Sequence, residues 1–326
     1  MTAPRASWNV TTSLPGLRSF VAGDELADLV DAGENIVVLT ADLATSNRLI
    51  DFQNRHPERF FNVGIAEQNM MSIGAGLASC GHQTWVSTFA SFASLLCAEH
   101  LRTDMAYPQL PVRILAHHAG ISMGFYGTSH HAVEDIAVTR SIAGMTVMAP
   151  CDAASLRACV RATLDEPGPV YLRLGRGSDP DVHDADVVIR RGRFIPVREG
   201  RDVTVIATGI GVHAALGAAD RLAAEGVSVR VLDAVYLKPL DIDAIEAAAR
   251  ETGRILVVEE HNVIGGLGTA VAETVALLGL SARIAKLGIE DQYVLVAPPT
   301  HLYRHYGLTA DGVVERLRTL LEHDEG

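Results

Sequence analysis

The chain has 326 residues, more than one compact core commonly spans, so two domains are expected. Hydrophobic residues make up 48% and charged residues 20%, which supplies real cores and argues against a disordered chain. The net charge of −12 comes without a basic block, which speaks against nucleic acid as a partner; small anionic substrates would be read by local groups.

Short β-branched runs alternate with helix-length segments along the first half. The strand candidates are NIVVLTADL, FFNVG, TWVST, VRILAHH, TVMAP and VYLRL. Between them, AEQNMMSIGAGLA, SFASLLCAEHLRTDMA, VEDIAVTRSIA and DAASLRACVRATLDE read as helices, the last with Asp152 as its N-cap. At GRGSDPDVHDADVV the pattern breaks into Gly, Pro and Asp, and IRRGRFIPVREG reads as a hairpin. A second series follows: VTVIATG, a helix from about Val212, VSVRVLDA, a helix from Asp241, RILVVEE, a helix from Gly266, and ARIAKLGI.

Near-continuous apolar strands between helices predict an α/β chain of two consecutive domains, each a mostly parallel sheet flanked by helices. The boundary is placed near residue 185, with an N-terminal extension over 1–15, a first domain over 16–180, a linker and hairpin over 181–200 and a second domain over 201–326.

No apolar run reaches membrane-spanning length, because VTVIATGIGVHAALGAADRLAA is interrupted by charge. The start, MTAPRASWNVTTSLPG, lacks the charged-then-apolar layout of a secretion signal. Cys80, Cys97, Cys151 and Cys159 fall in apolar segments without C-x-x-C spacing, as buried reduced thiols do. A soluble, cytoplasmic protein is expected, with no membrane partner.

Two patterns point to other chemistry. In ATGIGVHAALGAA, Gly209, Gly211 and Ala214 fit G-x-G-x-x-A after a strand, and Asp233 lies at about the distance of a ribose contact. Glycines there also serve a plain tight turn, the preferred reading, and IGGLGTA is read as a close helix–sheet contact. The pairs His117-His118 and His130-His131 could bind a metal, but adjacent residues on an extended segment face opposite ways. Neither Cys nor paired carboxylates complete a set, so no metal ligand is assigned.

One acidic residue, Glu67, stands at the mouth of an otherwise small and apolar helix in FNVGIAEQNMMSIGAGLASCG. With VLTADLATSN, RFFNVGIAEQNMMSIGAGLA, STFASFASL, the two histidine segments and VYLRLGRG in order, the chain resembles the transketolase family of thiamine diphosphate enzymes. The resemblance covers the C-terminal half of such enzymes, the pyrimidine-binding domain followed by the C-terminal domain. It implies that Glu67 hydrogen-bonds N1′ of the cofactor's aminopyrimidine, where the plain alternative is a helix-start carboxylate favoured by the dipole. It further implies that Phe89 and Phe92 pack on the pyrimidine ring, that Leu95 stands where a tyrosine is common, and that Asp42 lies on the cofactor side of the cleft unless it only ends a turn.

For the substrate, Ser46, Arg176 and Arg18 match positions that hold a sugar phosphate. His118 and His130 match histidines that contact ketose hydroxyls and help move protons. Arg173 is read as a group that could form a surface ion pair. Two departures stand out. Where transketolases carry G-E-D-G the chain reads GFYG, residues 124 to 127, so Tyr126 replaces an aspartate facing the acceptor, and His131 replaces a common glutamine on the same wall. A sugar branched there, or lacking that hydroxyl, such as apulose 4-phosphate, fits this change.

The second departure is that no G-D-G motif, through which the family holds diphosphate and Mg²⁺, occurs in the chain. The resemblance therefore implies an N-terminal transketolase subunit carrying the diphosphate-binding domain, and an assembly of two of each chain. The expected function is the transfer of a two-carbon ketol unit between sugar phosphates. The alternatives are a β subunit of a 2-oxoacid dehydrogenase, a deoxyxylulose phosphate synthase-like half, or a non-catalytic regulatory chain.

Overall fold

Apolar runs without alternation must be buried on both faces, and the strands they form here are covered by helices on each side. The computed structural model describes residues 21–177 and 180–322. Its strands, in chain order, are β1 (Ile36–Thr40), β2 (Phe60–Asn62), β3 (Gln83–Phe89), β4 (Val112–His117), β5 (Thr146–Met148) and β6 (Val170–Arg173) in the first half. The second half contributes β7 (Ile195–Arg198), β8 (Val203–Ala207), β9 (Val229–Asp233), β10 (Tyr236–Lys238), β11 (Arg254–Asn262) and β12 (Arg283–Ile289).

They form a seven-stranded sheet in the order β10-β5-β6-β4-β3-β1-β2 and a five-stranded sheet in the order β12-β11-β8-β9-β7. Every pairing of these strands is parallel except β10 with β5 and β7 with β9. This is the expected two-sheet α/β architecture. No helix among the described residues is long and apolar enough to cross a membrane.

The helix Glu67–Ser79 shows why a small-residue sequence belongs there. Met70, Met71, Ala75 and Ala78 are buried, and a Cβ on Gly74 would come within 2.7 Å of the Val86 side chain on β3. Glycine lets the helix lie against the sheet, and the helix thereby holds its own N-terminus at the end of the neighbouring strands.

Three local expectations are corrected. The segment 189–200 is not a hairpin: β7 pairs with β9, Ile195 opposite Asp233, and among the described residues no strand lies between β6 and β7. Its polar groups are taken by distant partners, Arg191 by Glu166 at 2.7 Å and the Phe194 N–H by Asp241 at 2.8 Å. The segment 91–106 is not one α-helix but two wide π turns, Phe92–Leu96 and Leu101–Ala106, around a short α turn, Ala98–His100. The Ser94 and Thr103 hydroxyls bond carbonyls four residues back, a competition that distorts helices. Finally, β10 comes from the second half of the chain yet completes the first sheet.

Asp152 caps the helix Ala153–Ala162 as expected, accepting the Ser155 N–H at 2.8 Å within a capping box. Its second oxygen accepts the N–H groups of Val182 and His183, each at 2.7 Å, so the same carboxylate anchors the linker. Burial opposes the charged form, but the Ser155 hydroxyl and these backbone N–H groups outweigh it and hold Asp152 below its ordinary 3.8. A depressed carboxylate stabilises the fold above its ordinary pKa, and the contribution is lost as pH falls through the folded value. Asp152→Ala is expected to cost about 3 kcal/mol at neutral pH, from a lost cap and stranded N–H groups. Urea midpoints of the two proteins should converge below about pH 4; a gap independent of pH would refute the assignment.

Candidate active site

In a parallel sheet the carboxyl ends of the strands open onto one edge, where ligands bind. Most of the expected site residues follow those ends in the first sheet. Asp42 and Ser46 follow β1, Glu67 follows β2, Phe89 ends β3 with Phe92 just after, His118 follows β4, and Arg176 follows β6. The strand neighbours place them side by side: Thr40 lies opposite both Asn62 and Ser87, and Phe89 lies opposite His117. Arg18 lies outside the described residues.

Glu67 opens its helix and is 8% exposed. Its carboxylate has no hydrogen-bond partner among the described residues. Beside it Cys97 is buried, and burial followed by the Glu67 charge pushes that thiol up to about 12. Phe89 and Phe92 stack with centroids 5.9 Å apart and an interplanar angle of 26°. Leu95 is 56% exposed on the wide turn that carries Phe92.

Asp42 sits in the left-handed region at φ 60°, and its side chain accepts a hydrogen bond from Asn62 Nδ2 at 3.1 Å. Ser46 is exposed, but its neighbour Asn47 donates to Ser87 Oγ at 2.9 Å, tying this turn to the end of β3.

The histidines gather on the aromatic pair. His118 lies 4.7 Å from Phe89, ring to ring, and His130 lies 5.3 Å from Phe92 and 5.0 Å from Tyr126. His117 and His118 do not lie on a simple extended segment: His117 ends β4, whereas His118 has φ 57° and turns its ring toward Phe89. His130 Nδ1 pairs with Ser129 Oγ at 2.9 Å. His131 turns inward, is buried, and bonds the Gly124 carbonyl through Nε2 at 3.0 Å, holding the turn that presents Tyr126. Phe125 and Tyr126 stack at 4.9 Å on that turn.

Arg173 is not a surface residue. Its Nε donates to Asp135 at 2.9 Å and its guanidinium also reaches the carbonyls of Ala132 and Glu260. Asp135 and Glu260 escape a reading of the sequence; the only signal there is an acid opening the apolar helix VEDIAV. Glu260 accepts the Ile121 N–H and the Tyr303 hydroxyl, each at 2.8 Å, so the second half of the chain braces the histidine loop. A cavity of about 190 Å³ between the halves is lined by Arg173, Arg176, Cys151, Gly209 and Tyr303, among others.

The dinucleotide pattern has a packing explanation. A Cβ on Gly211 would meet the Val258 carbonyl at 2.9 Å, so the helix Ile210–Ala223 needs glycine to lie against β11. Asp233 is engaged by His183 at 2.8 Å and by the Cys151 thiol at 3.3 Å rather than facing a ribose. The second glycine run is a close contact: a Cβ on Gly268 would lie 2.7 Å from the Lys286 side chain.

Burial, then Arg176, then His130 push His118 down from 6.5 to about 4, so its ring is neutral at pH 7 and able to donate and accept hydrogen bonds. Because the folded value lies below the unfolded one, this group's contribution to stability is complete above pH 6.5 and is lost as pH falls toward 4. An NMR titration of the His118 ring is expected to show a midpoint near 4. His118→Gln should flatten the acid side of the stability profile between 6.5 and 4. A midpoint at the ordinary value would show the ring open to water.

The transketolase pyrimidine-binding domain family matches residues 19–180 and the transketolase C-terminal domain family matches residues 192–313. A protein described as a putative transketolase C-terminal section, from Methanocaldococcus jannaschii, is 38% identical over 90% of this chain and 93% of its own. One of the subunits of apulose-4-phosphate transketolase from Phocaeicola vulgatus is 40% identical over 89% of this chain and 93% of its own. A solved structure of a split-gene transketolase, described as an inactive β4 tetramer, is 43% identical with a TM-score of 0.86, over 93% of this chain and 97% of that one. With both domains matched in order along the chain, this chain belongs to the transketolase family, as its pyrimidine-binding and C-terminal part.

Proposed function

We propose that this chain is the C-terminal subunit of a split transketolase, transferring a two-carbon ketol unit between sugar phosphates with thiamine diphosphate. Glu67 carries the reading: a carboxylate 8% exposed, without a hydrogen-bond partner among the described residues, beside a stacked aromatic pair. Burying such a group is costly unless a ligand satisfies it. A ring nitrogen of an aminopyrimidine does so, and the faces of Phe89 and Phe92 suit its flat ring. When bound, thiamine diphosphate supplies the nucleophilic carbon and the electron sink for breaking a carbon–carbon bond.

The remaining roles fall to this chain's own groups. Glu67 shares a proton with the ring nitrogen. Neutral His118 and His130 bind ketose hydroxyls and carry protons to and from them. Arg176 and Ser46, with Arg18, hold the phosphate as charged and hydroxyl donors, Asp42 borders the cofactor cleft, and Leu95 extends its apolar wall. His131 holds the loop from which Tyr126 meets the acceptor. The domains are taken as 16–180 and 201–326, joined by the linker 181–200.

The diphosphate and Mg²⁺ would be held by an N-terminal transketolase subunit carrying the diphosphate-binding domain, in a cytoplasmic assembly of two of each chain. Two things support this. One relative is described as a C-terminal section and another as a single subunit of its transketolase. The rim of the site is also apolar and open, with Ile65, two residues before Glu67, 84% exposed and Tyr126, against His130, 53% exposed. The solved relative's assembly of β chains is described as inactive, and the same is expected of this chain alone.

The test is to tag the chain, recover it from its native cells, and examine the complex by native mass spectrometry before a ketose phosphate screen. A co-purifying chain with thiamine diphosphate and Mg²⁺ is expected; tight cofactor binding by the lone chain would overturn the division of labour. In the complex, Glu67→Gln should lower kcat by about 10²-fold or more without loss of assembly, and full turnover would sink its assigned role. Tyr126→Asp should shift acceptor preference from a branched sugar such as apulose's toward ordinary aldose phosphates. An unchanged ratio of kcat/KM values would remove Tyr126 from the acceptor site.

A further inference from the structure

Cys151, His183 and Asp233 come from three separate parts of the chain. Cys151 lies just beyond β5 of the first sheet, His183 is in the linker, and Asp233 ends β9 of the second sheet. Their ligating atoms all lie within 4.8 Å of one another. Asp233 Oδ2 accepts from the Cys151 thiol at 3.3 Å and from His183 Nε2 at 2.8 Å. Cys151 and Asp233 are buried, and the His183 side chain is 5% exposed. Asp233 Oδ1, also buried, has no hydrogen-bond partner among the described residues.

The three groups are held from behind. The Asp152 carboxylate takes the His183 and Val182 N–H groups at 2.7 Å, and His213 Nε2 bonds the Cys151 carbonyl at 2.8 Å. Such outer contacts orient metal ligands. A soft thiolate and a borderline imidazole beside one hard carboxylate make a donor set that zinc or cobalt accepts and that magnesium or calcium, which take oxygen ligands, do not favour. Ligand-to-ligand edges in a tetrahedral zinc site are about 3.3–3.7 Å. The thiol–carboxylate edge already fits, and the imidazole–carboxylate edge opens by a few tenths of an ångström when a metal replaces the shared proton.

We propose that Cys151, His183 and Asp233 form a binding site for a zinc-type divalent cation that clasps the linker to both sheets. The fourth position would take a water from the cavity that Cys151 also lines beside Pro150 and Gly209. None of the three residues is among those assigned above to the cofactor or the substrate. On binding, the cation takes the thiolate sulfur, the His183 Nε2 lone pair and a carboxylate oxygen. The thiol proton leaves to solvent. The proton on His183 Nε2 also leaves that atom, to solvent from an imidazolium or to Nδ1 in a neutral ring, so that His183 keeps a single proton, on Nδ1.

Cobalt(II) is the probe. The chelator-stripped full-length chain, titrated with Co²⁺, should bind one equivalent and develop a thiolate-to-cobalt charge-transfer absorption that Zn²⁺ abolishes. Cys151→Ser should lose the band, Cys80→Ser, which alters an exposed thiol, should keep it, and Asp233→Asn or His183→Ala should weaken cobalt at least about tenfold. Zn²⁺ should raise the Tm of the unaltered chain and leave that of Cys151→Ser unmoved. Absence of the charge-transfer band in the unaltered chain at stoichiometric cobalt overturns the proposal, and that reading requires no variant to fold. A band that persists in Cys151→Ser overturns it as well.

Discussion

The buried ion pair between Arg173 and Asp135 is the interaction on which the site's shape depends. Arg173 ends β6, and besides Asp135 it reaches the Ala132 carbonyl at 3.2 Å and the Glu260 carbonyl at 2.8 Å. Asp135 in turn accepts the Tyr171 hydroxyl at 3.1 Å. One guanidinium therefore joins the first sheet, the base of the histidine loop and β11 of the second sheet. Removing one partner of a buried pair costs about 3–5 kcal/mol, because the other charge is stranded. Replacing both by apolar groups would lose the geometry, since only a planar fork reaches three segments at once.

The histidine loop is held from outside its own domain. Gly120 and Ala132 exchange backbone hydrogen bonds of 3.0 and 2.9 Å, closing the loop at its base. A Cβ on Gly120, whose φ is +65°, would fall within 2.5 Å of the Glu260 carboxylate, so glycine is needed for the close approach as well as the backbone angle. Gly124 meets the Ala297 carbonyl in the same way, at 2.7 Å. The ring contacts of the Phe89–Phe92 pair come from the first half of the chain, yet Glu260 and Ala297 of the second half brace the loop that carries Tyr126 and His130. The sharing of β10 with the first sheet adds to this coupling.

The strands are legible in the sequence because an unbroken apolar run has few other uses, and Glu67 is legible because a single acid stands out at the start of an apolar helix. What a sequence cannot supply is pairing at a distance. Arg173 reads as a surface group unless Asp135 and Glu260 are known to face it, and its bond to the Glu260 carbonyl spans 87 residues. The segment around Arg191 and Arg193 reads as a hairpin until Glu166 and Asp241 take its donors. Likewise Cys151 and Asp233, 82 residues apart, carry no spacing signature, so a cysteine-centred cluster escapes a search for local motifs. Asp152 is legible as a cap because that contact is local, while its hold on the linker is not.

The same distinction explains why the site is both well formed and open. The groups set by the sheet edge and by Arg173 are already in place: the aromatic pair is stacked, His118 is neutral at pH 7 and Glu67 is buried. The rim is not closed, for Ile65, Leu95 and Tyr126 remain exposed. Apolar groups around a polar centre gain by being covered, and covering them excludes water from that centre. Every charge and hydrogen bond inside then acts through a lower dielectric, so the proposed Glu67 contact to a ring nitrogen and the proposed Arg176 hold on a phosphate would both strengthen. On the proposed reading, the partner subunit's contribution is therefore twofold: it brings the diphosphate-binding groups, and by covering this rim it increases the strength of groups this chain has already aligned.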